Sequence, residues 1–267
     1  MSKDADKKMF VRNNGLSLLM GSVVTLGVIG AVSFLFFDQR LFQWQTSQYK
    51  IFPEPLALKA FVLLGKAWLP VWLLLCWGVL GNCRKRALIG LISLLLVVSV
   101  IPIKLSTQRL RPRNIINNDI PVTMMEKLTH SWSFPSGDTA AAFATAAAAA
   151  PFVGWIFRNI MFTAAGFVGF FRVATYAHYA SDAIAGAILG IVCGYLGFRL
   201  IASKPKLRQG LMKHLSKELM IAAIILIPVI HAASGNSDQI KVFAMFYPLI
   251  VGAFYLLSET RKKFLTP

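Results

Sequence analysis

Long apolar blocks dominate this chain of 267 residues, and they limit what it can fold into more than any other feature. A transmembrane helix needs about 20 mostly apolar residues, so blocks of this kind favour membrane spans over the helices of a soluble core. Only 15% of the residues are charged, whereas a soluble domain carries about 25%. We therefore predict an all-α integral membrane protein. Its eight candidate spans are 15–37, 60–80, 87–103, 139–157, 160–176, 183–201, 219–233 and 242–257.

The spans divide into a six-helix membrane core and two additional C-terminal hydrophobic helices. The predicted parts are a cytoplasmic N-terminal segment at 1–14, the core at 15–201, a basic cytoplasmic loop at 202–218, and a helical hairpin with a basic tail at 219–267. The first block is too long for a signal peptide and lacks a small-residue cleavage site after it, so we interpret it as a retained span. The last two spans contain Pro228 and Pro248. Their alternative is one re-entrant or interfacial hairpin.

The net charge of +17 by itself would suggest nucleic-acid binding. Most of the Lys and Arg residues are clustered, however, at 3–12, 84–86, 158, 204–217 and 261–263. These clusters fall on one side if the spans alternate, as the positive-inside rule requires. We therefore predict a multi-pass protein of the inner or plasma membrane with both termini in the cytoplasm, and we expect no nucleic-acid partner.

A second group of cations lies on the opposite, non-cytoplasmic face, where the same rule predicts few. The segment "KLSTQRLRPRNIINND" begins at Lys104 and includes Arg109, Arg111 and Arg113. A solvated loop that binds lipid headgroups would explain this segment alone. Arg172 near the end of the fifth span needs another explanation, because an unpaired charge at membrane depth costs about 3 kcal/mol or more.

Two further features on that face indicate phosphate chemistry. His178 and Asp182 are four residues apart at the start of the sixth span, so on a helix they would share a face. The carboxylate could then hold Nδ1–H and leave Nε2 as a nucleophile. Ser136 and Gly137 mark a helix start, where unpaired backbone N–H groups attract anions. Together with the cations, they predict a phosphate pocket with a nucleophile behind it.

Three motifs in this order resemble the signatures of a known family. They are "KLSTQRLRP" at 104–112, "PSGD" at 135–138 and "RVATYAHYASD" at 172–182. Their residues and spacing are similar to those of the type 2 phosphatidic acid phosphatase (PAP2) superfamily of membrane lipid phosphatases. The resemblance covers roughly residues 60–200 and implies that the six-helix core is of the PAP2 type.

The resemblance also implies a role for each matching residue. His178 would attack phosphorus and form a phosphohistidine, Asp182 would orient it, and water would hydrolyse the intermediate. The phosphoryl oxygens would be held by Lys104, Arg111, Ser136, Gly137 and Arg172. No metal or other cofactor is implied, since fixed cations would supply the charge that Mg²⁺ supplies in other phosphoryl-transfer enzymes. The implied partners are a phosphorylated membrane lipid and the bilayer, and the sequence identifies no protein partner.

Two positions depart from the family pattern. Phe171 replaces a serine, and Asp138 replaces the histidine that protonates the leaving oxygen. Asp138 could itself be the general acid, provided that its carboxyl is protonated near neutral pH. Alternatively, the substrate is a lipid diphosphate, whose leaving phosphate has a pKa of about 6 and needs little protonation. A third alternative is an inactive member that only binds lipid phosphate.

These arguments predict a membrane lipid phosphatase that hydrolyses a lipid phosphate or diphosphate, with an isoprenoid diphosphate favoured, through a phosphohistidine. The alternatives are a lipid phosphoryl transferase and, from another class, a degenerate lipid-phosphate-binding or transport protein. Transporters typically have broken helices near the bilayer midplane. The charged motifs here are expected at one membrane face, which favours the enzyme. The active site would accordingly lie on the non-cytoplasmic face.

Overall fold

The structure, a computed structural model, describes residues 25, 27–30, 32–47, 68–80, 84–116, 132–216, 218–224 and 226. Every regular element in these ranges is helical, and no strand occurs within them. Three helical stretches are long and apolar enough to cross a membrane, namely Arg84–Ile115, which is interrupted at 98–99 and 108–111, Trp155–Ala174 and Ala180–Ser203. The all-helical class is therefore confirmed for this part of the chain. The predicted count of six core helices and two C-terminal ones extends into residues outside these ranges.

Nine α-helices have both ends within the described ranges and are numbered here in chain order, and residues 25, 27–30, 32, 218–224 and 226 are helical as well. They are α1 (Asp38–Ser47), α2 (Trp68–Leu80), α3 (Arg84–Val97), α4 (Val100–Thr107), α5 (Pro112–Ile116), α6 (Gly137–Ala149), α7 (Trp155–Ala174), α8 (Ala180–Ser203) and α9 (Pro205–His214). A π-helical turn, Ser33–Phe37, precedes α1, and a 3-10 turn, Ala150–Phe152, follows α6.

The predicted spans differ from these helices mainly at their ends. The fourth span was predicted at 139–157, but α6 ends at Ala149. Pro151 lies in the turn that follows, and a proline removes a backbone donor that a continuing helix would need. The predicted span 242–257 lies outside the described residues, and 15–37, 60–80 and 219–233 lie only partly within them.

The alanine run of α6 packs against α8, in the most extensive helix contact among the described residues. Gly186, Gly190 and Gly194 of α8 lie along this contact. A Cβ added at Gly186 would be 2.4 Å from the carbonyl oxygen of Ser136, and one added at Gly190 would be 2.4 Å from that of Ala140. Only glycine permits so close an approach. The alanines and glycines therefore have a packing role, because small residues let backbones approach where lipid provides no hydrophobic driving force.

Helix α3 packs against both α6 and α8, while α7 packs mainly on α6. Where α3 and α4 meet α6 and α8, a hydrophobic cluster is buried; it comprises Val97, Val100, Ala140, Ala144 and Cys193. In contrast, α7 exposes a series of large apolar side chains, namely Trp155, Ile156, Phe157, Ile160, Phe167 and Phe170. An exposed apolar surface of this extent is typical of contact with a membrane or another protein.

Candidate active site

A cavity of about 310 Å³ lies where the three motif segments converge. Its lining residues are Lys104, Arg111, Arg113, Gly137, Asp138, Arg172 and His178. Six of the eight site residues expected from the sequence are among them, so the distant motifs do meet at one place. The other two, Ser136 and Asp182, are fully buried behind the lining. Arg113 is an additional residue that the motifs did not indicate.

His178 lies in the loop between α7 and α8, ahead of the helix start at Ala180. The prediction that His178 and Asp182 share one face of a helix is therefore wrong, because only Asp182 belongs to α8. The loop is closed by the backbone N–H of His178, which donates to the carbonyl of Arg172 at 3.1 Å. This turn places the imidazole against the cavity while leaving only 2% of the residue exposed.

The imidazole of His178 is oriented by the backbone of Ser133. Nδ1 lies 2.7 Å from the Ser133 carbonyl oxygen and 3.8 Å from Oδ2 of Asp182. Since a carbonyl oxygen can only accept a hydrogen bond, Nδ1 carries the proton and Nε2 keeps its lone pair. This neutral tautomer leaves Nε2 as the ring nitrogen that can attack phosphorus.

The surroundings of His178 also favour its neutral form. Burial lowers the pKa of His178 from 6.5 to about 4, and the carboxylate of Asp182 opposes this change. The cations of the cavity lower the same pKa further; they are Arg111, Arg172 and Lys104. A neutral imidazole is the nucleophilic form, so His178 is ready to react at physiological pH.

Asp182 is buried in the first turn of α8, where it accepts hydrogen bonds from three groups. The donors are the hydroxyl of Ser133, the backbone N–H of Tyr179 at 2.8 Å and Nη1 of Arg109 at 2.6 Å. Ser133 therefore contacts both partners, with its hydroxyl on Asp182 and its carbonyl on His178. Ser133 thus links the carboxylate and the imidazole, whose Oδ2 and Nδ1 are 3.8 Å apart.

Arg109 connects this arrangement to α1. Its Nη2 lies 2.8 Å from Oδ2 of Asp38, and its guanidinium lies 3.9 Å from the centre of the Tyr179 ring. Asp38 is 3% exposed and also accepts hydrogen bonds from the backbone N–H and the hydroxyl of Ser181. Sequence reasoning missed this network because Asp38 and Arg109 are 71 residues apart. The one sequence feature that could have indicated this network is Asp38 itself, an acidic residue directly after the first apolar block, 15–37.

Two of the three cations expected to hold phosphate are buried, and the third, Lys104, is half-buried. Arg111 and Arg172 are 7% and 6% exposed, and Lys104 donates a hydrogen bond to the carbonyl of Trp132. Fixed positive charges away from water interact strongly with an anion, because the local dielectric constant is low. Within the described ranges, no group of three or more His, Cys, Asp or Glu residues could hold a metal ion.

Asp138 forms an ion pair with one of these cations. Its Oδ2 lies 3.2 Å from Nε of Arg172, and 20% of its side chain is exposed. The contact does not have hydrogen-bond geometry, and Nε of Arg172 is buried without an acceptor in the part of the chain that the structure describes. A phosphoryl oxygen bound in the cavity could supply that acceptor.

Ser136 caps the start of α6. Its hydroxyl accepts a hydrogen bond from the backbone N–H of Thr139 at 3.4 Å and lies 2.8 Å from Oγ1 of the same residue. Its own backbone N–H donates to the carbonyl of Asp182 at 2.9 Å. The hydroxyl thus serves the helix, and Gly137 is the part of this motif, besides Asp138, that lines the cavity.

The region that contains the cavity matches a model of a known protein family. The PAP2 superfamily matches residues 86–206, which include all three motifs and every residue that lines the cavity. This region of the chain is similar to the PAP2 superfamily. The match supports phosphatase activity at the level of the superfamily. Asp38 lies outside the matched residues, so the α1 end of the buried network is not part of the PAP2 match.

One solved structure similar to this chain is the crystal structure of Aquifex aeolicus LpxE. The two share 22% identity with a TM-score of 0.47, and the similarity covers 61% of this chain and 94% of that one. A search of curated proteins found no match.

Proposed function

We propose that this protein is a membrane lipid phosphatase that hydrolyses a lipid phosphate or diphosphate through a phosphohistidine at His178, with an isoprenoid diphosphate favoured. The observation that carries the proposal is the bond between Nδ1 and the Ser133 carbonyl, which leaves Nε2 nucleophilic. The same cavity holds three cations of the motifs, Lys104, Arg111 and Arg172. An oriented nucleophile beside fixed positive charge is what phosphoryl transfer without a resident metal requires.

In the first step, Nε2 of His178 attacks phosphorus and forms an N–P bond. The P–O bond to the leaving group breaks, and its electron pair stays on the leaving oxygen. Nδ1–H remains bonded to Ser133, and the nearby carboxylate of Asp182 stabilises the positive charge that the ring gains. The cations stabilise the charge on the non-bridging oxygens. Nε of Arg172 is suited to bind one of them, since it is buried and faces the cavity region beside Asp138.

In the second step, water attacks the phosphorus of the phosphohistidine. The N–P bond breaks, its electron pair returns to Nε2, and inorganic phosphate leaves. The proton lost by water is released to solvent, so His178 is again neutral. For a lipid diphosphate, the net reaction with water gives the lipid monophosphate and inorganic phosphate.

The position of Asp138 supports a diphosphate as the substrate. Its Oδ2 lies 3.2 Å from Nε of Arg172, so the residue at the position of the family's proton donor is paired with a cation of the cavity. An alkoxide leaving group resembles hydroxide, whose conjugate acid, water, has a pKa of about 15.7, and so needs a proton donor. A lipid monophosphate has a pKa of about 6 and can leave without one. The structure thus favours the second of the three interpretations of Asp138.

The proposal includes the topology predicted from the sequence, with both termini in the cytoplasm and the cavity near the non-cytoplasmic face. The clusters of Lys and Arg support this topology, because they all fall on one side of the membrane if the predicted spans alternate. In this arrangement the phosphate reaches the cations while the lipid chains remain in hydrocarbon. The exposed apolar side chains of α7 would face the bilayer.

Phosphate release by the purified protein in detergent tests the proposed function. The substrates are phosphatidate, phosphatidylglycerol phosphate, undecaprenyl diphosphate and lipid A, each with and without a chelator. We expect release that resists the chelator, with the highest kcat/KM for undecaprenyl diphosphate. His178→Gln should abolish it, whereas His214→Gln, at an exposed residue of α9 outside the cavity, should not.

Two other results would replace the proposal. Binding of these lipids without release of phosphate would indicate a lipid-phosphate-binding protein. Transfer of the phosphoryl group to a second lipid, in preference to water, would indicate a lipid phosphoryl transferase.

A further inference from the structure

Arg113 lines the cavity although it belongs to none of the three motifs. It is the second residue of α5 and is exposed, whereas Arg111 and Arg172 are buried. Its backbone N–H donates to the carbonyl of Tyr176 at 3.0 Å, which ties α5 to the loop that carries His178. Arg113 is therefore the cation at the solvent-accessible side of the cavity, and its backbone is held in place.

The cavity carries more positive charge than a phosphate monoester needs. Four cations and one carboxylate line it, which gives a net formal charge of +3 when His178 is neutral. A phosphate monoester carries a charge of about −1.5 to −2 at pH 7, and a diphosphate carries about one negative charge more. Arg113 repels both Arg111 and Arg172. None of the described carboxylates forms an ion pair with it.

We propose that Arg113 binds the departing phosphate of a lipid diphosphate and thereby selects diphosphates over monophosphates. This inference rests on the proposed function. In an in-line displacement the leaving group lies on the far side of phosphorus from the nucleophile. Since His178 is at the buried end of the cavity, the leaving group points towards the exposed end, where Arg113 lies.

This role also accounts for the missing proton donor. A guanidinium that binds the departing phosphate stabilises the negative charge that grows there as the P–O bond breaks. Protonation by a histidine would stabilise the same charge in another way. Asp138 stands where the family has a histidine, and Arg113 lies beside the same cavity. Together the two residues would adapt the site to a diphosphate.

Kinetics on two lipids with the same chain, one a monophosphate and one a diphosphate, test this role. We expect Arg113→Gln to lower kcat/KM for the diphosphate by about 10- to 100-fold, the loss of one hydrogen bond to a charged group. The loss with the monophosphate should be at least fivefold smaller. Arg113→Lys should recover part of the diphosphate activity, because it keeps the charge. Arg158→Gln, at an exposed arginine of α7 outside the cavity, is the matched control.

Binding of a soluble diphosphate analogue shows whether Arg113 contacts the diphosphate group itself or lipid headgroups in general. Methylene diphosphonate should bind the wild type more tightly than Arg113→Gln by a similar factor, and inorganic phosphate should bind both alike. Equal losses on both lipids, or an effect on lipids without any effect on the soluble analogue, would overturn the proposal and indicate a general contact with lipid headgroups. Because this binding needs no turnover, it tests Arg113 even if the wild type releases no phosphate.

Discussion

The two sides of the cavity differ in how firmly their residues are held. On the side of the nucleophile, His178 is bonded to the Ser133 carbonyl, and Asp182 accepts three hydrogen bonds behind it. On the side of the leaving group, Asp138 forms one ion pair among the described residues, with its Oδ2 3.2 Å from Nε of Arg172, and its side chain is 20% exposed. The first side is a closed hydrogen-bonded network, and the second is open to solvent.

In the proposed mechanism, this difference indicates which of the two events the protein controls more strictly, attack by the nucleophile or departure of the leaving group. Formation of a phosphohistidine depends on an oriented, neutral imidazole, and the buried network provides it. Departure of the leaving group depends on charge stabilisation, which fixed cations can provide without a positioned acid. A strict nucleophile side combined with an open leaving-group side therefore suits a substrate whose leaving group is already acidic.

Asp182→Asn should have the largest effect of the substitutions that test this comparison. It removes the charge that stabilises the imidazolium and replaces one of the two acceptor oxygens by an NH2 donor, so we expect kcat to fall by up to about 10⁴-fold, the loss seen when a triad aspartate is replaced by asparagine. Steady-state kinetics on a lipid diphosphate measure this, with a thermal melt to confirm folding. A loss below threefold would show that the buried network does not control the nucleophile.

The pH at which His178 takes up a proton tests whether its ring is shielded from water. Its pKa of about 4, lowered from 6.5 mainly by burial, means that the ring should stay neutral as the pH falls to 5. Histidine labelled with ¹⁵N and observed by NMR measures this, with His178→Gln to assign the signal. Titration near pH 6.5 would show that the ring is in contact with water.

The same lowered pKa affects stability. The unfolded chain binds the proton at a higher pH than the folded protein, so His178 should make the folded state less stable as the pH falls from 6.5 towards 4. The melting temperature of the wild type should therefore drop more steeply over this range than that of His178→Gln.

Asp38→Asn should have a moderate effect that is confined to the nucleophile side. Asp38 contacts Arg109 and Ser181 but not the cavity lining, so it is a positioning residue. We expect kcat to fall by about 10-fold through a small misplacement of the imidazole, with KM nearly unchanged. Gln39→Ala, at the exposed neighbouring residue, is the control. A rise in KM with unchanged kcat would contradict the positioning role.

Asp138→Asn should have the smallest effect on a lipid diphosphate. Loss of a general acid typically costs 10²- to 10⁴-fold, whereas we expect less than about 5-fold if Asp138 donates no proton. Asp138→His should raise activity on a monophosphate relative to a diphosphate, because it restores a donor for the poorer leaving group. If Asp138→His lost equal activity on the monophosphate and the diphosphate, the proposed preference for a diphosphate would be contradicted.

The sequence predicted the residues of the cavity better than the contacts between them. Charges at span ends and the three motifs were sufficient to bring Lys104, Arg111, Arg172 and His178 together, because such residues are costly in a membrane unless they serve a site. The hydrogen bond from His178 goes instead to a backbone carbonyl, which no side-chain motif can reveal. Arg113 was likewise indistinguishable from an ordinary loop arginine.

Long-range partners were the other part that the sequence did not predict. Asp38 and Arg109 are 71 residues apart, and they meet because Asp38, at the start of α1, lies against Ser181 in the first turn of α8. The shortened α6 and the position of His178 before α8 were missed for a different reason. Apolar periodicity locates a helix but not its ends, which depend on capping contacts such as that of Ser136 with Thr139.

Trapping of the covalent intermediate is the most direct test of the account. Wild-type protein is mixed with a lipid diphosphate labelled at its terminal phosphate, quenched in alkali within one turnover, digested and mapped by mass spectrometry. The account predicts an acid-labile phosphoryl group on the ring of His178 that is absent from His178→Gln. Steady phosphate release with no labelled peptide, or with the label on another residue, would contradict it.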